Sequence, residues 1–82
     1  MKYEIQLKPK ALKDAKKIPK SDLIRIFDRI EGLKNNLAGD VKRLTDHTPE
    51  YRLRSGNYRV LFEVEKAAVI IYRICHRKDV YK

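Results

Sequence analysis

The sequence is poor in three features: it has one cysteine, no long apolar run and few acidic residues relative to basic ones. The lone Cys75 excludes an internal disulfide and a cysteine-based zinc cluster, so a reducing compartment is the simplest setting. No stretch approaches the length of a membrane span, and the N-terminus MKYEIQLKPK lacks the apolar core of a secretory signal. We therefore expect a cytoplasmic protein that does not act at a membrane.

The scarcity of acidic residues leaves a strongly basic chain. Lys and Arg together number 20 against 11 Asp and Glu, which gives a formal net charge of +9 over 82 residues. A field of that sign favours a polyanion or an acidic protein as partner. The length and the 43% of apolar residues predict one globular domain over residues 1–82. Its core is thin, so a partner would contribute to its stability.

Hydrophobic periodicity predicts one strand and two helices in the first half of the chain. Residues 3–7 alternate between apolar and polar side chains, as in a half-buried strand. A lysine-rich helix then begins near Pro9 and ends before Pro19, because proline suits a first helical turn and disfavours helical geometry in the preceding residue. The longest periodic stretch follows, an amphipathic helix for which Ser21 or Asp22 would serve as the N-cap.

The second half of the chain is typical of strands separated by short turns. The strongest strand patterns cover residues 51–55, 58–64 and 68–76, and a short edge strand is the most that residues 41–44 would form. The element order β-α-α-β-β-β therefore predicts an α+β fold. We expect a small, antiparallel-dominated sheet with a helical hairpin packed on one face.

A hairpin turn at Gly56-Asn57 determines which side chains share a face of the sheet. Glycine supplies the positive φ of a two-residue turn, and the resulting register sets Arg54 opposite Arg59. Apolar side chains then occupy the face that takes the helices, namely Tyr51, Leu53, Tyr58, Val60 and Phe62. Arg52 joins the other two arginines on the opposite face. Directly opposed like charges repel, so this arrangement predicts a bound phosphate or carboxylate.

Further basic and titratable side chains cluster at the end of the chain, namely Arg73, His76, Arg77, Lys78, Tyr81 and Lys82. The last strand returns to the level of Arg59, so this cluster extends the cationic surface of the hairpin. The sequence does not determine which face of the sheet carries His76. A two-residue turn at residues 65–66 sets it beside Arg59, whereas a bulge or an odd-length loop reverses this.

Cleavage of RNA through its 2′-hydroxyl needs such a surface. It requires in-line placement, a proton acceptor, cations for the phosphorane charge and a proton donor for the leaving oxygen. Imidazole titrates near neutrality, which makes His76 the candidate for proton transfer, and Tyr81 would donate a proton or stack on a base. A metal site is not expected, because His47 and His76 sit in different contexts without a carboxylate pair.

The segment YRLRSGNYRVLFEVE, followed by IIYRICHRKDVY, resembles the paired C-terminal signatures of the RelE/ParE toxin superfamily of bacterial and archaeal toxin–antitoxin modules. The N-terminal helices are similar to that family more loosely. For the RelE branch, the resemblance implies a ribosome-dependent endoribonuclease (mRNA interferase) that cuts A-site mRNA through the 2′-hydroxyl without a metal or other cofactor. It also implies the partners: the 70S ribosome, mRNA and a cognate antitoxin in a hetero-oligomeric complex.

The resemblance also assigns residues. Family active-site positions correspond to Arg52, Arg54, Arg59, Arg77 and Tyr81. The family motif often has a lysine where this chain has Arg52, and arginine loses a proton far less readily. That difference favours His76 or purely electrostatic catalysis. The predicted catalytic set is therefore Arg52, Arg59, His76, Arg77 and Tyr81. The predicted RNA-binding set is Arg54, Arg73, Lys78 and Lys82.

Two other functions stay open at the level of sequence. The ParE branch is similar in fold but inhibits DNA gyrase and cuts no RNA, and the HRKDVY ending occurs on both branches. A non-catalytic RNA-binding module would use the same basic face without cutting. The convergence of arginines with His76 and Tyr81 on one phosphate site favours the RelE branch.

Overall fold

The computed structural model describes residues 2–80, which form two helices packed on one face of a five-stranded sheet. In chain order the elements are β1 (Glu4–Leu7), α1 (Pro9–Lys16), α2 (Lys20–Gly32), β2 (Val41–Arg43), β3 (Tyr51–Ser55), β4 (Tyr58–Glu65) and β5 (Ala68–His76). The strand order is β1-β5-β4-β3-β2. β1 runs parallel to β5, and the other neighbouring pairs are antiparallel. The predicted α+β class is confirmed, with β2 as a short edge strand.

The helices begin at the positions that their prolines favour. Pro9 lies in the first turn of α1, where its missing N–H leaves no hydrogen bond unmade. Pro19 is the N-cap residue of α2, and no side chain caps that helix. The prediction that Ser21 or Asp22 caps α2 is therefore wrong, because the helix already starts at Lys20. No helix among residues 2–80 is long and apolar enough to cross a membrane.

The core lies between the helices and the sheet. Ala11 and Ala15 are the buried residues of α1, and their small side chains allow that helix to pack closely on β5. Ile26 and Ile30 are buried on α2. The sheet contributes the buried side chains of Leu53, Val60, Phe62, Val69, Ile71 and Ile74. Burial of one such large apolar side chain contributes roughly 1.5–3 kcal/mol, so this single cluster holds the two layers together.

The β3–β4 hairpin has the register that its turn predicts. Gly56 adopts a φ of 57°, which glycine reaches without steric cost, and Arg54 lies opposite Arg59. The helix-facing positions are buried or half-buried, and Leu53 has no exposed surface. We call the face of the sheet away from the helices the open face. Arg52, Arg54 and Arg59 share it.

A bulge in the β4–β5 pair determines the side on which β5 ends. Phe62 lies opposite Ile71, whereas the neighbouring Leu61 lies opposite Arg73, so Tyr72 is an extra residue in β5. One extra residue reverses the alternation of side chains beyond it. This finding resolves the question that the sequence left open, because the last residues of β5 now face the opposite way from a regular ladder.

Candidate nucleic-acid interface

Cations form two rows that run across the strands of the open face. In the first row, Arg54 lies opposite Arg59, which lies opposite Cys75. In the second row, Lys42 lies opposite Arg52, which lies opposite Leu61. Neighbouring strands are about 4.8 Å apart, so the cationic side chains of three strands lie within reach of one short stretch of polyanion. We call this part of the open face, defined by Lys42, Arg52, Arg54 and Arg59, the basic end.

The other end of the open face is acidic. Glu63 and Glu65 follow the basic residues along β4, and Glu4 lies in the same cross-strand row as Glu65, through Ala68 of β5. The carboxylate of Glu63 also accepts a hydrogen bond from the backbone N–H of Glu50. A polyanion laid along the strands would therefore run from cations into carboxylates. A bound nucleic acid is favoured only across the strands, at the basic end.

Arg59 is held by the turn beside it. Its Nη1 donates to the carbonyl oxygen of Gly56 at 2.8 Å and to that of Tyr58 at 2.9 Å. These two bonds fix the guanidinium near the hairpin tip, while Arg54 on the facing strand is exposed. An orientation that is set before binding reduces the entropy lost when an anion binds. Arg59 thus has a fixed position at the hairpin tip, with Arg54 opposite it on the neighbouring strand.

A cavity of about 300 Å³ opens beside the second row of cations. Its lining comes from β2, the loop between β2 and β3, β3 and the C-terminal turn: Lys42, Arg43, Leu44, Thr45, His47, Arg52 and Val80. Two of these cations lie on the open face, and Leu44 and Val80 are half-buried apolar residues. Apolar surface combined with cations suits a nucleotide, which has a flat base and a charged phosphate.

Arg73 is tied to the helical layer. Its Nε donates to Oδ2 of Asp14 at 2.7 Å and its Nη2 donates to Oδ1 at 3.1 Å. The backbone N–H of Ile74 donates to the same carboxylate at 3.0 Å. Burial raises the pKa of Asp14, but the hydrogen bonds from Arg73 and Ile74 outweigh it, and the net pKa is lowered. The predicted RNA-binding Arg73 thus links β5 to α1 in this structure.

His76 lies on the helix side of the sheet, opposite Tyr58 and in edge-to-face contact with its ring at 5.3 Å between centroids. It lines a separate cavity of about 320 Å³, with Asp14 and Lys17 of the α1 region among the other lining residues. Its Nδ1 accepts a hydrogen bond from the backbone N–H of Lys78 at 3.2 Å. The structure therefore does not bring this predicted catalytic residue together with the arginines of the basic end.

The C-terminal residues of the predicted site fall in two groups. Arg77 is exposed and stays near the hairpin tip, because its backbone N–H donates to the Asn57 carbonyl at 2.7 Å. Lys78 is exposed in the same turn. Tyr81 and Lys82 lie outside the described residues. Within residues 2–80, no group of three or more His, Cys, Asp or Glu side chains is arranged to hold a metal ion.

Sequence reasoning missed Lys42 of the basic end and two residues of the cavity beside it, His47 and Val80. Lys42 belongs to a strand of three residues, which is too short for a clear periodic signal. His47 sits in a loop whose position depends on contacts across the sheet. The sequence does contain one signal for Lys42, which is the alternation of apolar and basic residues at Val41, Lys42 and Arg43. A strand with that pattern, paired with β3, would have Lys42 opposite Arg52.

Taken together, the described residues form a small two-layer α+β protein with a basic end on the open face of its sheet. A family model described as "ParE toxin of type II toxin-antitoxin system, parDE" matches residues 5–81. The chain belongs to this RelE/ParE family of toxins, and it is thus a toxin of a type II toxin–antitoxin module.

Relatives with RelE names are similar over most or all of the chain. The putative toxin RelE1 of Methanocaldococcus jannaschii is 35% identical, over 100% of this chain and 98% of the relative. Toxin RelE3 of the same organism is 36% identical over 85% of each chain. A crystal structure of a RelB–RelE antitoxin–toxin complex from Methanococcus jannaschii matches with a TM-score of 0.78 and 34% identity, over 93% of this chain and 94% of that one.

The fold recurs in a more distant structure. The toxin–antitoxin complex RelBE2 of Mycobacterium tuberculosis contains a chain that matches with a TM-score of 0.80 at 23% identity, over 94% of this chain and 100% of that one. At that level of identity the match shows a shared fold alone.

Proposed function

We propose that the chain is a ribosome-dependent endoribonuclease, an mRNA interferase that arrests translation in the cytoplasm by cutting mRNA in the ribosomal A site. The observation that carries the proposal is the basic end, where Arg54 and Arg59 face each other across two strands. Two guanidiniums that converge on one phosphate hold it tightly and stabilise the extra negative charge of a phosphorane. The RelE names of the relatives that span this chain support the same branch.

The proposed reaction is an attack of the RNA 2′-oxygen on its own 3′-phosphate, with release of the 5′-oxygen of the next nucleotide. Arg54 and Arg59 hold the non-bridging oxygens of that phosphate. Arg52 neutralises a neighbouring phosphate, and Arg77 approaches from the C-terminal turn beside the hairpin tip. The role of Tyr81 in stacking or proton donation stays a prediction, because that residue lies outside the described part of the chain.

A second candidate is inhibition of DNA gyrase without RNA cleavage. The observation in its favour is that the matching family model is described as a ParE toxin. The two candidates make different demands on the protein. A gyrase inhibitor needs a binding surface, whereas an RNA nuclease needs cations that hold one phosphate in a fixed geometry.

One experiment separates the two. Purified protein is added to translating ribosomes and the 5′ ends of the mRNA are mapped, and a gyrase supercoiling assay is run in parallel. We expect cuts inside A-site codons and unchanged supercoiling. Gyrase inhibition with intact mRNA would contradict the proposal in favour of the second candidate.

A matched pair of variants tests the site in the same assay. Arg59→Ala is expected to lower cleavage by at least about 100-fold, as loss of a group that stabilises transition-state charge does. Arg29→Ala removes the same side chain from the exposed surface of α2 and is expected to cut like the wild type. Circular dichroism confirms that both variants are folded. Equal activity of the two variants would show that the basic end is not the active site.

We also propose that a cognate antitoxin binds the groove between β1 and α2. This groove has a volume of about 690 Å³ and an apolar floor that includes Ile5, Leu7, Phe27 and Ile30. β1 pairs with β5 on one side only, so its other edge is available to an added strand. The relatives of known structure were crystallised with RelB antitoxins.

Hydrogen exchange measured on the toxin–antitoxin complex tests this site. Exchange of the backbone amides of β1 and α2 should be slower in the complex than in the free toxin. Protection confined to β3 and β4 would contradict this binding site.

A further inference from the structure

The two histidines of the chain occupy different sides of the sheet. His47 lines the cavity beside the basic end, together with Lys42 and Arg52. His76 lines another cavity on the helix side, where Asp14 and Lys17 contribute to the wall. His47 therefore shares a concave surface with two cations of the basic end, whereas the cations that line the cavity of His76 are Lys17 and Arg73, and Arg73 is paired with Asp14.

The hydrogen bonds of the two imidazoles fix opposite tautomers. Nδ1 of His47 lies 2.9 Å from the carbonyl oxygen of Pro49, and a carbonyl can only accept, so Nδ1 donates. The neutral ring then has an unprotonated Nε2, which is able to take a proton. His76 is the reverse: its Nδ1 accepts from the N–H of Lys78, so the neutral ring has its proton on Nε2. His47 is thus the imidazole that is oriented as a base.

We propose that the cavity between the β2–β3 loop and the C-terminal turn holds the nucleotide whose 2′-hydroxyl reacts, and that His47 is the residue that accepts its proton. The proposal rests on the proposed nuclease function and adds a catalytic residue to it. Lys42 and Arg52 bind the phosphate next to the reacting one, at the mouth of the cavity, and the apolar side chains of Leu44 and Val80 contact the base.

The proposed step transfers one proton and exchanges one bond to phosphorus for another. The proton of the 2′-hydroxyl moves to Nε2 of His47 as the 2′-oxygen forms a bond to phosphorus. The bond between phosphorus and the 5′-oxygen breaks, and a water molecule supplies the proton that the leaving 5′-oxygen takes up. The products are a 2′,3′-cyclic phosphate and a 5′-hydroxyl end. His47 then releases its proton to solvent.

The variant His47→Asn tests the role directly. The asparagine amide nitrogen occupies about the position of Nδ1 and still donates to the Pro49 carbonyl, but no group replaces Nε2. In single-turnover cleavage on ribosomes we expect the rate to fall by at least about 100-fold, as for loss of a general base. The control Asp28→Asn, on the exposed surface of α2, should stay within about twofold, because Asp28 does not line this cavity.

The pH profile distinguishes a proton acceptor from a structural residue. The cations that line the cavity with His47 are Lys42 and Arg43 from β2 and Arg52 from β3. Of the acidic groups in its loop, Asp46 precedes it in the chain and Glu50 forms an ion pair with Arg43. An imidazole base makes the cleavage rate rise with pH across the near-neutral range. We expect His47→Asn to remove that rise. A rise that persists in His47→Asn and disappears in His76→Asn would overturn the proposal.

A binding measurement keeps this inference separate from the nuclease proposal. A trinucleotide with 2′-deoxyribose at its first and second positions has no 2′-hydroxyl next to a phosphodiester, so it cannot be cut and serves as the probe. In NMR titrations of the full chain, we expect the ring resonances of His47 to shift more than those of His76. No shift at His47 would overturn the cavity assignment. A shift at His47 in a protein that never cuts mRNA would support the cavity and overturn the nuclease function.

Discussion

At the scale of single residues, the β3–β4 hairpin contains one polar side chain with two hydrogen bonds and another that is buried without any. Arg59 donates to two carbonyl oxygens of its own turn. Ser55, at the end of the facing strand, is only 2% exposed, and its hydroxyl has no hydrogen-bond partner among residues 2–80. A buried polar group without a partner costs about 1–3 kcal/mol. The fold therefore contains one removable source of instability close to the proposed site.

Replacing Ser55 with alanine should stabilise the protein. The change removes the hydroxyl and keeps Cβ, so we expect the free energy of unfolding to rise by about 1 kcal/mol. For a domain of this size, the melting temperature rises by about 4–8 °C per kcal/mol. Chemical denaturation measures the effect. Ser21→Ala on the exposed start of α2 is the control and should change stability by less than about 0.5 kcal/mol. Destabilisation by Ser55→Ala would show that the hydroxyl has an unrecognised role.

At the scale of elements, the sequence predicted what is determined locally. The Gly56-Asn57 turn and the alternation around it were enough to predict the register of β3 and β4, and with it the shared face of Arg52, Arg54 and Arg59. The prolines indicated where the helices begin and end, although the predicted N-cap residue of α2 was wrong. Features that depend on distant parts of the chain were not predictable, because no local pattern encodes them.

Two of those features changed the proposed site. The bulge at Tyr72 turns His76 to the helix side, and only the three-dimensional pairing of β4 and β5 reveals it. The ion pair between Arg73 and Asp14 joins residues that are 59 positions apart. Periodicity describes single elements, so it could neither assign Arg73 to that pair nor bring His47 to the cavity beside Arg52.

The ion pair between α1 and β5 should make stability depend on pH. The folded-state pKa of Asp14 lies below its usual 3.8. Its contribution is therefore complete above that usual value and is lost as the pH falls through the lower, folded-state value. We expect Asp14→Asn to be less stable than the wild type by about 1–3 kcal/mol at pH 7, since hydrogen bonds to a charged group are lost.

The difference between the two proteins should shrink as the pH falls below 3.8 and through the lower pKa of the folded state, because a protonated carboxyl resembles the amide. Urea denaturation at a series of pH values measures it. Asp28→Asn, on the exposed side of α2, serves as the control and should follow the wild-type pH curve. A difference between Asp14→Asn and the wild type that stays constant down to low pH would show that the carboxylate charge is not what stabilises the fold.

At the scale of the whole molecule, the charge of +9 is unevenly placed on the open face. Cations dominate the hairpin end of β4, and carboxylates dominate its other end. A net positive charge attracts polyanions from a distance. The uneven placement of the charges favours binding at the basic end, in a direction across the strands. These two effects are separable, because one depends on the number of charges and the other on their position.

A matched pair of lysines separates number from position. Lys42→Gln removes a charge from the basic end, and Lys20→Gln removes one from the exposed start of α2, so both lower the net charge equally. Binding to programmed ribosomes is measured as a function of salt. The slope of log K against log salt is negative, and each phosphate contact that is lost makes it less steep by about 0.7–0.9. We expect Lys42→Gln to reduce the steepness by that amount and Lys20→Gln to leave it unchanged. Equal effects of the two variants would mean that net charge alone binds the RNA, and the basic end would then have no special role.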